Sequence, residues 1–220
     1  MKKQVVLLVA VALSTAAFSQ EKISAGIRAG VTTSRMEGDA MQSLKDLIEY
    51  TDGMITTANR TGIYAGGNVN IPLSKVMSVE PGLYYTQKGM ELRGALDLKG
   101  VEFLGAGAKA QLNTHYVDMP VVLKATISGF QVFAGPHVSY LAQADLKTSA
   151  GILGYNIFNR KMDATEYMNR WDAGVTGGVG YRFKNISLTA AYDHGLMKTD
   201  ADQNMDAYNR SLKVGIGVNF

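Results

Sequence analysis

Eight stretches of this chain alternate apolar and polar residues at period two, and each predicts a strand with two chemically different faces. In the first, Lys22 to Ser34, the residues Ile23, Ala25, Ile27, Ala29 and Val31 oppose Ser24, Gly26, Arg28 and Gly30. Further stretches cover about 61–71, 76–88 and 111–125. The fifth, Phe130 to Gln143, is less regular, because Phe133 and Leu141 fall on its polar side. The last three run Asn169 to Phe183, Asn185 to Leu196 and Ala207 to Phe220. The final one sets Leu212, Val214, Ile216, Val218 and Phe220 against Asn209, Ser211, Lys213, Gly215, Gly217 and Asn219.

The connections separate by length. Pro72 to Lys75, Thr126 to Gly129 and the Lys184–Asn185 step are tight, whereas Arg35 to Arg60, Gly89 to Ala110, Ala144 to Met168 and Met197 to Asp206 are long. Short turns on the inner side and long loops outside predict an all-β, eight-stranded, antiparallel up-and-down transmembrane β-barrel. Alternation alone does not exclude a soluble barrel with its apolar face inward. Three features favour lipid outside. The polar face is rich in glycine, as a crowded eight-strand interior requires. Aromatic residues (Tyr85, Tyr140, Trp171, Tyr181, Phe183, Tyr192 and Tyr208) lie near segment ends on the apolar face. The polar face also carries charges of both signs, which can neutralise one another inside.

The amino terminus reads as a cleaved secretion signal over residues 1–19. Lys2 and Lys3 precede an apolar run, and Ala17 and Ser19 occupy the −3 and −1 positions before Gln20. The barrel domain then spans 20–220. Without Lys2 and Lys3 the 22 basic residues fall to 20 against 19 acidic ones, so the charge balance gives no reason to expect nucleic acid. No cysteine is present, which excludes disulfides, thiolate metal sites and a lipoprotein anchor.

The interior charges predicted from face parity are Arg28, Glu80, Lys88, Asp118, Lys124, Asp172, Arg182, Asp193 and Lys213. Height along the strands groups Glu80, Lys124 and Arg182 near the inner rim, Arg28, Asp118 and Lys213 midway, and Lys88, Asp172 and Asp193 near the outer rim. Glu80 and Lys124, on neighbouring strands, are expected to pair. Such charges either line an ion path or fill a solid core that fixes register; eight strands leave only enough width for the second. The histidines His115, His137 and His194 have no metal-ligand spacing on one face. Asp193 and His194 are neighbours and point to opposite faces, and no serine has a base at readable spacing, so neither catalytic residues nor a cofactor are expected. Asp39 and Gln42, with Met41, Leu44, Leu47 and Ile48, predict a short helix in the first long loop. The third loop carries Ile152, Leu153, Tyr155, Ile157 and Phe158, which predicts either a hairpin continued past the membrane or an adhesive surface.

The segments "IPLSKVMSVEPGLYYTQKG" (71–89), "YVDMPVVLKA" (116–125), "FQVFAGPHVSYL" (130–141), "WDAGVTGGVGYRFKNISLTAAYDHGL" (171–196) and "RSLKVGIGVNF" (210–220) resemble the outer-membrane β-barrel domain of the Bacteroidetes porin family proteins. The resemblance covers essentially the whole mature chain. It implies residence in the Gram-negative outer membrane, contact with its lipid, and insertion by the barrel-assembly machinery, which reads a last strand ending at Phe220. It names no substrate. The expected protein is a monomer with a filled polar interior and a non-catalytic role in envelope structure, adhesion or contact with an extracellular ligand through its loops. The alternatives are a narrow channel for a small solute and a membrane-embedded lipid-modifying enzyme.

Overall fold

The computed structural model describes residues 22–39, 41–43, 46, 55–96, 106–152, 155–202, 204 and 206–220. The expected signal and the helix residues Leu44, Leu47 and Ile48 lie outside them. Asp39, Met41, Gln42, Ser43 and Asp46 are helical, and the Met41 and Gln42 amides both donate to the Gly38 carbonyl at 3.0 Å. The helix therefore starts one residue earlier than the expected Asp39 cap.

The described residues form nine strands: β1 (Ser24–Glu37), β2 (Ile55–Pro72), β3 (Met77–Leu96), β4 (Ala106–Ile127), β5 (Phe130–Ile152), β6 (Tyr155–Asp163), β7 (Trp171–Phe183), β8 (Ile186–Lys198) and β9 (Tyr208–Asn219). Eight of them close an antiparallel barrel through the β1–β9 and β4–β5 pairings. The ninth, β6, pairs with the outer half of β5, from Asp145 to Ile152, while β7 pairs with its inner half. The third loop is thus largely a hairpin that carries β5 beyond the barrel. At the inner end Ile127 faces Phe130 across a two-residue turn. Ser128 and Gly129 there have φ of 50° and 89°, as a type I′ turn requires.

Which side faces lipid is decided by burial. Ile27, Ile63, Leu83, Val121, Val179, Leu188 and Ile216 are exposed, while Thr32, Thr86, Asp118 and Ser139 are fully buried. Water would not sustain that arrangement; a hydrocarbon surround does. Two aromatic girdles bound the apolar band. Phe130 packs edge-on against Tyr181 at 4.9 Å near the turns, and Tyr140 against Trp171 at 5.0 Å near the loops. Both pairs are in register across β5 and β7, residue 130 to residue 140. Ten residues of strand measure roughly 33 Å, and a tilt of about 40° projects that to roughly 25 Å, the height of an outer-membrane apolar band.

Beyond the outer girdle the polarity of the strands inverts. On β4 the outward residues change from Leu123, Val121, Met119 and Val117 to His115, Asn113, Gln111 and Lys109. The inward ones change from Lys124 and Asp118 to Leu112 and Ala110. On β3, inward Glu80 and Lys88 give way to Met90 and Leu92, and outward Leu83 and Tyr85 to Glu91 and Arg93. The β5 strand achieves the same change with a bulge opposite His115/Tyr116. The bulge shifts parity, so Ala144 and Leu146 point inward and Asp145 and Lys147 outward. Two other register irregularities, Asn59/Tyr64 on β2 and His194/Lys198 on β8, fall at the same level, and a third, Ala150/Gly151, lies farther out where β5 pairs with β6.

Candidate functional site

Two ion clusters and one hydrogen-bonded carboxylate occupy the interior. In the inner cluster Glu80 on β3 takes Arg28 Nη2 on one oxygen at 3.0 Å and Lys124 Nζ on the other. Arg28 is on β1 and reaches past β2, where its partner in register is Gly66. A Cβ added at Gly66 would lie 2.1 Å from the Leu83 carbonyl oxygen and 2.7 Å from the Tyr84 ring, so glycine is what lets β2 approach β3 this closely here. Lys124 stands diagonally from Glu80 across the β3–β4 ladder, whose pairs are Ser78 with Lys124 and Glu80 with Val122.

The central cluster crosses the lumen. Asp118 on β4 binds Lys88 on neighbouring β3 at 3.1 Å and Lys213 on distant β9 at 2.7 Å. Lys213 also binds Asp193 on β8 at 2.7 Å, and the Ser211 hydroxyl donates to Asp193 at 3.2 Å. Lys88 and Asp118 are each 1% exposed. A second strap lies above. Asn209 on β9 donates to Tyr116 Oη on β4 at 3.3 Å and to Asp172 on β7 at 2.9 Å. Four interior cations, Arg28, Lys88, Lys124 and Lys213, thereby match four carboxylates, Glu80, Asp118, Asp172 and Asp193. Buried charge at this density is tolerable only when it is balanced in this way.

Arg182 does not belong to this set. It is exposed at the inner rim, its amide donating to Gly129 O at 2.7 Å, and it makes no ion pair among the described residues. Face parity points it inward, but it is the penultimate residue of β7, and a long side chain at a barrel end reaches water instead. The three expected layers are also regrouped: Arg28 joins the inner pair, and Lys88 and Asp193 join the centre. Sequence reasoning missed the tyrosines that line the cations. Lys88 Nζ lies 4.9 Å from the Tyr116 ring centroid, Lys213 Nζ 5.7 Å from Tyr64, and the Arg28 guanidinium 5.9 Å from Tyr84. Their signal was present, since all three fall on the polar face by parity. A cavity of about 50 Å³ remains between Tyr64, Tyr84, Phe133, His137 and Lys213. His137 is 4% exposed, and neither of its ring nitrogens is hydrogen-bonded among the described residues.

The outer mouth is closed by apolar packing. Tyr116, Leu141, Ala144, Ala164 and Met168 form a buried cluster, with Met36, Leu112 and Leu146 against it. The segment after β6 folds over the opening as a 3-10 turn, Thr165–Tyr167. Ala164 N donates to Ala144 O at 2.9 Å, and Met168 bridges to Asp200 in the β8–β9 connection. The Thr165 hydroxyl and amide hold the Asp163 carboxyl below its ordinary pKa. The irregular Leu141 is therefore part of a plug, and Phe133 lines the cavity beneath it.

On the outward face of the β3–β6 extension, Glu91 binds Lys109 at 2.9 Å and Arg93 at 2.6 Å. Burial opposes ionisation of Glu91, but the hydrogen bonds from these two cations outweigh it and lower its pKa. His115 Nδ1 lies 2.5 Å from Tyr85 Oη, outside the barrel. Asp193 faces the lumen, whereas His194 lines a groove on the lipid side with Tyr192.

Residues 18–201 match the model of a family described as outer membrane protein beta-barrel domain. Among solved structures, the chain is similar to Ail, the attachment invasion locus protein of Yersinia pestis, at 13% identity and TM-score 0.48, covering 91% of this chain and 100% of that one. Neisserial surface protein A matches at 14% and 0.42, covering 90% and 98%. The outer membrane protein OprG from Pseudomonas aeruginosa matches at 12% and 0.42, covering 90% and 95%. No curated protein matches the chain.

Proposed function

The chain belongs to the outer membrane protein beta-barrel domain family, and from that premise we propose that it is a sealed, non-catalytic barrel that acts through its outer surface. The reading rests above all on the cross-lumen bonds, Lys213 to Asp118 and Asn209 to Tyr116, each linking β9 to β4. Side chains tied across the axis leave no room for a hydrated path. The β3–β6 extension then offers a rigid sheet above the membrane, suited to adhesion, ligand contact or envelope organisation. A non-catalytic role is supported by the engagement of two interior serines, Ser211 and Ser139. Ser211 donates to Asp193 and Ser139 accepts from Lys88, so neither stands beside a free base. In this reading the protein is a monomer surrounded by outer-membrane lipid, and β9 is the strand that the assembly machinery engages.

The test is conductance of the refolded protein in planar bilayers. A sealed barrel gives no discrete unitary steps above the lipid background. Thr176 also lines the His137 cavity, and reproducible steps abolished by filling it with Thr176→Phe would support the second reading, a narrow solute route through that cavity.

A further inference from the structure

The inner mouth of the barrel is a polar cup of about 240 Å³ lined by Asn70, Ser74, Lys75, Ser78, Ser128 and Arg182. No Asp or Glu side chain among the described residues lines it. Lys75 comes from the β2–β3 turn and Arg182 from the end of β7, and both are exposed and make no ion pair among the described residues. The floor is also positive. Buried Ser78 is the register partner of Lys124, and behind them the inner cluster holds two cations, Arg28 and Lys124, on the single carboxylate of Glu80. The buried Arg28 Nε has no hydrogen-bond partner among the described residues. Counting rim and floor together, four cations face one carboxylate. The central cluster, by contrast, is balanced: Lys88 and Lys213 against Asp118 and Asp193.

A concave site lined by one sign of charge concentrates counter-ions. Guanidinium and ammonium groups flanked by hydroxyls suit a compact oxyanion that accepts several hydrogen bonds at once. We propose that the inner mouth binds a phosphate group, carried either by a soluble phosphate compound on the inner side of the membrane or by a phospholipid headgroup of the inner leaflet. Lys75 and Arg182 clamp it, and Ser78 and Ser128 supply hydroxyl donors. The site faces the opposite end of the molecule from the loops and acts independently of them.

The experiment is calorimetric titration of inorganic phosphate into the folded protein in a zwitterionic detergent at low salt. Three chains are compared: wild type, K75Q/R182Q, and K22Q/K184Q, the last of which removes rim cations outside the cup. Both double variants change exposed side chains, and folding is verified by heat-modifiable gel mobility. The expected result is saturable binding by wild type, weakened at least about tenfold in K75Q/R182Q and changed less than about twofold in K22Q/K184Q. A second arm measures thermal protection in phosphatidylglycerol against phosphatidylcholine nanodiscs. Protection by phosphatidylglycerol that is lost in K75Q/R182Q, without phosphate binding in detergent, assigns the site to a headgroup. The proposal is overturned if wild type shows neither effect, or if K22Q/K184Q weakens both as much as K75Q/R182Q does.

Discussion

The membrane-spanning half of the barrel and the wall above it share the strands β3, β4 and β5, with β6 added to the wall alone, and their wiring is opposite. Within the membrane, apolar residues face out and charges are sealed inside. Above it, Lys109, Gln111, Asp145 and Lys147 face out, while Leu112 and Leu146 pack inward on Tyr116 and Leu141. The solvent outside the strand dictates the change: hydrocarbon below the outer girdle, water above. The hydrophobic effect thus writes an inside-out pattern and an ordinary one onto a single continuous ladder.

The contrast is broken most severely by Glu80→Gln. Inside the membrane this leaves Arg28 and Lys124 facing each other without a carboxylate, and the expected loss is about 3–5 kcal/mol. Chemical unfolding in lipid vesicles measures it, and an unchanged midpoint would refute the pairing as a stabilising unit. A matched pair of substitutions on one face of β4 sharpens the comparison. Val121→Lys places a charge in the apolar band and costs about 2–4 kcal/mol. Gln111→Lys, ten residues nearer the loops on the same face, changes stability by less than about 0.5 kcal/mol. Equal effects would show that the inversion does not mark the membrane boundary. The smallest effect concerns Glu91, whose lowered pKa makes its contribution complete above the ordinary carboxylate range. That contribution is lost as pH falls through the depressed value. The protection factors of β3 residues 90–93, taken relative to the intrinsic exchange rate at each pH, should therefore fall on acidification through that range, and Glu91→Gln should remove that fall at a cost under about 1 kcal/mol.

The inversion also explains why the barrel was legible in the sequence and the wall was legible only at the third loop, where a hairpin continued past the membrane was one of two expectations. A period-two reading follows one phase, in which outward positions are apolar. On β4 that phase reverses at His115 and on β3 after Tyr85, so the alternation appears to stop and the remainder reads as loop. On β5 the bulge beyond Leu141 moves parity as well, which hid the Leu146 face, while Leu141 looked misplaced because it is apolar on the inward face, where it joins the plug. Candidate charges fared unevenly for a similar reason. Glu80 and Lys124 are neighbours on one ladder, and local geometry was enough to pair them. Arg182 has the right parity but stands at a strand end, where parity no longer determines whether a long side chain stays inside.

The amino-acid sequence alone determined a set of two-faced strands and the tight turns between them, and it favoured lipid on the apolar side. These are local properties, carried by neighbours two residues apart and by turn chemistry. Only closure of the barrel decided that Lys213 meets Asp118 and that Asn209 meets Tyr116, pairs separated by 95 and 93 positions. It also decided that Ala164 and Met168 plug the mouth. Those contacts depend on barrel diameter, stagger and bulge placement, which sum over every strand and are encoded in no single one.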